Sequence, residues 1–248
     1  MAIALVTGAG GRLGEVIARH LAKNGYQVIV HVNTTRAQGN KLAQEIVREG
    51  NKAFVAPCDF SRPASVTPFF AKIVKQHGVP DLIVNNASTF EYDFPGKASE
   101  VILSKSLAVH VSAPFLLMEL AFKAASKRHP VTVVNVLDQK VVNLNPDYFS
   151  YSIGKSALFA MTRMWQMNPS NRLRVFGILP GLLFPSGKQT AEDFERVKND
   201  TILGQNPSPQ EIADAILLVA RTRSMPGQNL VIDGGESLVP RARDIAYE

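Results

Sequence analysis

Thr7-Gly8-Ala9-Gly10-Gly11-Arg12-Leu13-Gly14 lies between an apolar run, Ala2–Val6, and a stretch of helical periodicity, Leu13–Asn24. In that stretch Leu13, Val16, Ile17 and Leu21 share one stripe, with Arg19, His20 and Lys23 opposite, the pattern of a helix packed on a sheet. The order is therefore strand, glycine turn, helix. Gly8 and Gly14 permit a tight turn and close backbone approach, and the helix N-terminus offers unpaired N–H groups and a positive dipole end to a pyrophosphate. A glycine string alone is weak evidence; its place between the first strand and the first helix gives it meaning.

The alternation continues along the chain. Gln27–Val32, Ala53–Ala56, Leu82–Val84, Val131–Val136, Val175–Leu179 and Leu230–Ile232 are apolar on consecutive positions, which predicts strands buried on both faces, as in a parallel sheet covered by helices. Between them Thr35–Glu49, Ala64–His77, Ser99–Ser126, Tyr151–Met167 and Ser208–Arg221 predict helices. Ser208-Pro209-Gln210-Glu211 has a Ser N-cap, Pro at the first helical position and Glu at the third. The expected fold is α/β, a three-layer doubly wound (Rossmann) parallel sheet of about seven strands. No linker, repeat or low-complexity segment divides residues 1–248, so one domain is expected, with a substrate loop at about 181–207.

Composition excludes other classes. The 248 residues include 46% hydrophobic and 19% charged, far from the disordered range. The net charge of +6 comes from scattered Lys and Arg, with no patch suited to nucleic acid. The longest apolar candidate, Val101 to Phe122, is interrupted by Lys105, His110, Pro114 and Glu119, so no membrane span is expected. Cys58 is the single cysteine, which precludes an internal disulfide, leaves no cysteine cluster for zinc, and fits a reducing cytoplasm. Met1 to Thr7 lacks the basic segment of a secretory leader. A cytoplasmic location is the expectation.

Near the end of the second strand, where an NAD site usually places an acid on the adenosine ribose, the chain has Asn33-Thr34-Thr35-Arg36. An acid would repel a 2′-phosphate, whereas hydroxyls, an amide and the guanidinium groups of Arg12 and Arg36 could hold one. NADPH is expected over NADH. On the helix that begins at Tyr151, Lys155 lies four residues on and so on the same face. A cation beside a phenol would stabilise the phenolate and lower its pKa.

These motifs resemble, in order and over essentially the whole chain, the short-chain dehydrogenase/reductase family. Gly8, Gly10, Arg12 and Leu13 look like its cofactor loop, and Asp59 with Phe60 like its adenine contact. Asn86, Ala87 and Ser88 look like part of its Asn-Asn-Ala-Gly motif, Tyr151 and Lys155 like its Tyr-x-x-x-Lys, and Pro180-Gly181 and Asp233-Gly234-Gly235 like its later signatures. The resemblance implies a nicotinamide dinucleotide held by these residues with Asn33, Thr34 and Thr35, and a homo-oligomer, a tetramer by analogy.

Departures from the family pattern are informative. The usual catalytic Ser, thirteen residues before the Tyr, is Asp138 here. A carboxyl group beside a phenol forms an acid pair able to relay a proton to a basic ring nitrogen. Asp138 together with Arg12, Ser88 and Phe90 resembles pteridine reductases and the related dihydromonapterin or dihydrofolate reductases. That resemblance implies a dihydropteridine or folate-like substrate, with Phe90 stacked on the ring and Arg12 and Ser88 near its aminopyrimidine edge. Asp138 and Tyr151 would supply the proton, and Leu183 and Phe184, within Leu182–Ser186, would line the ring pocket. His110 replaces a usual Asn; it could hold the same relay water or be a buried structural histidine. Trp165-Gln166-Met167-Asn168-Pro169 and Phe176 also differ, away from the inferred chemistry. Two other readings stay open: a carbonyl or 3-oxoacyl reductase in which Asp138 is a local substitution, and a non-catalytic NADPH-binding protein.

Overall fold

The computed structural model describes residues 1–185, 189–197 and 200–247. Seven strands form one parallel sheet in the order β3-β2-β1-β4-β5-β6-β7. They are β1 (Ala2–Val6), β2 (Tyr26–Val32), β3 (Ala53–Pro57), β4 (Leu82–Asn85), β5 (Val131–Val136), β6 (Leu173–Pro180) and β7 (Asn229–Ile232). All seven expected strands are present; β1 and β5 keep the expected bounds, β2, β3, β4 and β7 are one residue longer, and β6 is three residues longer. The helices are α1 (Arg12–Lys23), α2 (Arg36–Arg48), α3 (Val66–His77), α4 (Glu100–Leu107), α5 (Ala113–Ala124), α6 (Phe149–Gln166), α7 (Ala191–Val197) and α8 (Pro209–Arg221).

The consecutive apolar residues of each strand divide between two cores. Ala4, Val6, Val28, Val30 and Val84 face Ile17, Leu21, Ile46, Ile212 and Ile216 of α1, α2 and α8. Leu5, Ile29 and Ile83 face Phe69, Phe70, Ile73, Leu117, Met118 and Leu158 of α3, α5 and α6. This is the two-residue period of a strand buried on both sides. Each fully buried Leu or Ile side chain stabilises the sheet by about 2 kcal/mol. Glu100–Ala124 is a continuous helical stretch long and apolar enough to cross a membrane, but Ala113, Leu117, Met118 and Ala121 lie buried in the second core.

The strand order reverses between β1 and β4, and the loops after these strands open a crevice at their carboxyl ends, where such sheets bind ligands. Thr7 ties the two loops together. Its hydroxyl donates to Val84 O at 3.1 Å and accepts from the N–H groups of Asn86 and Ala87, each at 2.9 Å. The Asn86 amide donates back to Thr7 O at 2.9 Å.

Candidate active site

A cavity of about 730 Å³ runs from the end of β2, past the glycine turn, to the ends of β5 and β6. At one end lie Asn33, Thr34, Thr35, Asp59 and Phe60; at the other lie Phe90, Asp138, Tyr151, Lys155, Leu183 and Phe184. Gly8, Arg12, Leu13, Asn86, Ala87, Ser88, Pro180 and Gly181 line the length between. Among the described residues, the expected Gly10, Arg36 and His110 lie outside the lining. A Cβ on Gly10 would collide with the Thr35 side chain, so this glycine brings the turn against the start of α2.

The residues fit a dinucleotide phosphate. Gly8 has φ +64°, and a Cβ there would come within 2.9 Å of Ala87 Cα, so the turn requires glycine. Gly11, the N-cap of α1, has no side-chain capping bond, which leaves first-turn N–H groups available for a phosphate. At the β2 end no acid follows Val32. Asn33 donates to Asp59 Oδ1 at 3.0 Å, and Ser61, whose hydroxyl bond is the main cause, holds the Asp59 pKa below its ordinary value. The expected meeting of Arg12 and Arg36 does not occur. Arg36 is exposed and outside the cavity, at the start of α2. Arg12 instead stacks over Phe184, 4.5 Å from the ring centroid, and donates to Pro185 O at 3.3 Å, bridging the glycine turn to the loop after β6. Ser186, expected in that loop, lies outside the described residues.

Beneath the turn, His31 does work that its place among valines concealed. Its Nδ1 accepts from Gly8 N–H at 3.0 Å, which leaves Nε2 to donate to Cys58 O at 3.1 Å. The ring stacks on Phe60 at 4.0 Å. Burial lowers its pKa to about 4, so the neutral form is locked in place.

At the other end the Tyr151 hydroxyl donates to Asp138 Oδ2 at 2.6 Å, while Asp138 Oδ1 accepts from Lys140 N–H at 2.8 Å. Burial raises the pKa of Asp138, and burial followed by the Asp138 charge raises that of Tyr151 well above 10. This corrects the expected phenolate. Lys155 Nζ donates to Val136 O at 2.7 Å and lies 5.7 Å from the phenol ring centroid, so the cation does not offset burial. Burial lowers Lys155 itself to about 8.

Several elements aim this pair. Asp93, 3% exposed, reaches the start of α6, accepting from Ser150 N–H at 2.9 Å and from the Ser150 hydroxyl, and so caps the helix immediately before Tyr151. Tyr148 precedes α6 with φ +53°, the one positive φ among the described non-glycine residues, and is 1% exposed. Its ring stacks on Phe90 at 4.0 Å, and Phe90 also meets the Tyr151 ring edge-on at 4.7 Å. Phe90 is thus backed by one aromatic ring yet remains 42% exposed in the cavity.

His110 sits in a π-helical turn, Ala108–Ser112, between α4 and α5, a distortion common at functional sites. Its Nε2 lies 2.9 Å from Ser88 Oγ and accepts from Thr89 N–H at 3.3 Å. Nδ1 is 3.1 Å from Ser106 Oγ, which donates to Ser150 O at 2.7 Å. These bonds require a neutral ring protonated on Nδ1, and burial lowers its pKa well below 6.5. Gly154 makes the room: a Cβ there would lie 2.6 Å from Ser106 Oγ and 2.9 Å from His110 Nδ1. Both ring nitrogens are bonded to protein groups. In this arrangement the histidine is bonded to Ser88 through Nε2 and to Ser106 through Nδ1.

Asp93, Tyr148, Lys140, Glu236 and Asp244 were not expected at the site. Glu236 accepts from Gln139 Nε2 at 2.9 Å and from Leu182 N–H at 3.0 Å, and burial raises its pKa to about 7. The Glu in Gly234-Gly235-Glu236 could have drawn attention, since it follows a strand end at the crevice side. The others carry no local signal.

A Tyr–Lys pair at the carboxyl ends of parallel strands, beside a glycine turn that cradles phosphate, defines a dinucleotide-dependent oxidoreductase of the doubly wound class. The chain belongs to the short chain dehydrogenase family, whose pattern matches residues 2–195. It is 28% identical over 240 residues to a dihydromonapterin reductase of Klebsiella pneumoniae, covering 94% of this chain and 96% of that protein. The structure of FolM alternative dihydrofolate reductase 1 from Brucella suis in complex with NADP is 34% identical, covers 97% of this chain and 96% of that one, and superposes with a TM-score of 0.91. The angucycline C-6 ketoreductase LanV with bound NADP is 26% identical, with 96% of each chain covered and a TM-score of 0.85.

Proposed function

We propose that the protein is an NADPH-dependent pteridine reductase, converting a dihydropterin or dihydrofolate-like ring to its tetrahydro form, with residues 1–248 acting as one domain. The observation that carries this reading is the 2.6 Å bond between Tyr151 and Asp138, where a carbonyl reductase of this family has a serine hydroxyl. Reduction of a carbonyl and of an imine each consumes one proton; a carboxyl group beside the phenol adds a second acidic group that a serine hydroxyl does not supply, which suits a basic ring nitrogen. NADPH supplies the hydride when bound. Gly8, Leu13 and the open N-terminus of α1 would hold its pyrophosphate, Asn33, Thr34 and Thr35 its phosphorylated ribose, and Lys155 the nicotinamide ribose.

The substrate ring would lie against the exposed face of Phe90, with Ser88 and Arg12 at its aminopyrimidine edge. As hydride reaches the imine carbon, the C=N bond becomes a C–N single bond and the nitrogen takes the proton that Tyr151 and Asp138 share. His110 acts through Ser88 as a positioning residue. The similarity to both the dihydromonapterin reductase and the NADP-bound dihydrofolate reductase supports this assignment over the ketoreductase alternative, since the latter relatives are less alike. The test is incubation with NADPH deuterated at C4 and a mixture of a dihydropterin and a ketone. Deuterated tetrahydropterin is expected; deuterated alcohol with no tetrahydropterin would overturn the reading.

A further inference from the structure

Asn145-Pro146-Asp147-Tyr148 runs into α6, and Asp147 is wholly buried. Three segments distant in sequence meet on its carboxylate. Oδ1 accepts from the Tyr92 hydroxyl at 3.0 Å and from Arg243 Nη2 at 2.9 Å. Oδ2 accepts from Arg243 Nε and from Asp244 N–H, each at 2.8 Å. Tyr92 lies in the loop after β4 that also carries Phe90, whereas Arg243 and Asp244 belong to the C-terminal strap that follows β7. The Arg243 guanidinium also lies over two rings, 5.8 Å from the centroid of Phe94 and 5.5 Å from that of Tyr247. A two-pronged Arg–carboxylate pair fixes its partners in direction as well as distance.

The next residue, Tyr148, is where this hold acts. Its left-handed backbone, φ +53° and ψ +49°, is one that bulky residues rarely adopt and that persists only where the surroundings fix it. Asp147 fixes it from the N-terminal side. From the other side, Tyr148 O accepts from Ser152 N–H at 2.8 Å and from the Ser152 hydroxyl at 2.9 Å. The strap holds the ring as well: the Tyr148 and Tyr247 hydroxyls lie 3.4 Å apart, and Lys140 Nζ, bonded to Asp244, is 5.6 Å from the Tyr148 ring centroid. Held in this way, Tyr148 stacks on Phe90 with 21° between the ring planes and sets the tilt of the Phe90 face that the cavity exposes. Tyr151 follows in the first turn of the same helix.

We infer that Asp147 and Arg243 are positioning residues for the substrate ring: their ion pair uses the C-terminal strap to hold Tyr148 in its left-handed conformation, and through Tyr148 the face of Phe90. A face ordered in advance binds a flat ring without first losing the freedom of its own side chains. The inference rests on the pteridine reading for the name of the ring, and on the stacking role of Phe90 for its effect. Gly8, Asn33 and Thr35, at the dinucleotide end of the cavity, make none of these contacts, so the strap bears on the ring and not on the cofactor.

The test measures the dissociation constant of NADP, that of biopterin on the NADP-loaded protein, and KM for 2-acetylnaphthalene, a flat bicyclic ketone. Arg243→Gln should weaken both flat compounds about ten-fold, the size of a lost charge-assisted pair of hydrogen bonds, and leave NADP binding unchanged. Arg243→Lys should recover part of the loss, since it restores the charge without the fork. In a Phe90→Ala background the change at Arg243 should add little, because residues that act through one another are non-additive. Tyr247→Ala, at a half-exposed ring, removes a strap contact without leaving a buried charge unpaired, and should show the same pattern more weakly even if Arg243→Gln fails to fold. Unchanged binding of the flat compounds in these variants, a parallel loss of NADP affinity, or a full effect in the Phe90→Ala background would overturn the inference. If biopterin binds and is indifferent to the strap, the role of Asp147 and Arg243 fails and the pteridine reading stands. If biopterin does not bind and 2-acetylnaphthalene is reduced with the predicted dependence on Arg243, the pteridine reading fails and the role of the strap stands. Failure of the wild-type protein to take either compound would overturn both.

Discussion

The Tyr151 hydroxyl donates to Asp138 Oδ2 at 2.6 Å in a position from which water is largely excluded. Because burial raises the pKa of both groups, the pair holds its proton at neutral pH and can release it only to a base placed against it. Asp138→Ser should therefore lower kcat for a dihydropterin by about 10²-fold or more, the usual size of a lost general acid. Activity on a simple ketone should hold or rise. Steady-state kinetics on both substrates checks this; parallel loss on both would indicate that Asp138 is not tied to ring-nitrogen protonation.

His110 reaches the substrate side only through Ser88, 2.9 Å away. His110→Ala should reduce kcat/KM about ten-fold, typical of a lost buried hydrogen-bond network rather than of a lost acid. In a Ser88→Ala background the same change should have little further effect, since coupled residues are non-additive. Full additivity in the double-mutant cycle would assign His110 an independent role.

Lys155 has its pKa lowered by burial to about 8 from 10.5. The ammonium is present below about 8 and lost as pH rises through that value. The kcat/KM for NADPH, which reports the free enzyme, should fall above pH 8. Lys155→Arg should remove that descending limb while lowering the plateau, because the guanidinium stays charged but cannot reproduce the bond to Val136 O.

His31 titrates near 4 when folded and near 6.5 in the unfolded chain. Its contribution to stability is complete above pH 6.5 and is lost as pH falls toward 4, where the unfolded chain binds the proton first. The loss is about 3 kcal/mol for this group alone. Urea unfolding from pH 7 to 4 should show His31→Gln less stable than wild type at pH 7, with the difference shrinking as pH falls. A constant difference would mean that His31 does not titrate as its burial requires.

The sheet and the motif residues were legible because their signals are local. Consecutive apolar residues gave seven strands, and Ser208 with Glu211 forms the expected capping box, Glu211 N–H to Ser208 Oγ at 3.2 Å and Ser208 N–H to Glu211 Oε2 at 2.7 Å. The cavity end reached by Asp93, Lys140, Glu236 and Asp244 was not legible. Asp93 caps a helix that begins at Phe149, and Asp244 meets Lys140 from the far end of the chain, so neither has a neighbour in sequence to announce it. The phenolate expected at Tyr151 failed for a related reason. Helical spacing fixes which face Lys155 shares, but how deeply both groups are buried, and that Val136 O takes the ammonium, depends on β5.

The most direct test is NADPH oxidation by the wild-type protein with dihydromonapterin, dihydrobiopterin and dihydrofolate beside a panel of ketones, aldehydes and 3-oxoacyl thioesters. Turnover concentrated on the dihydropterins and dihydrofolate is the predicted result. Turnover confined to the carbonyl compounds would contradict the assignment of Asp138 and Tyr151 as the proton source for a pteridine nitrogen.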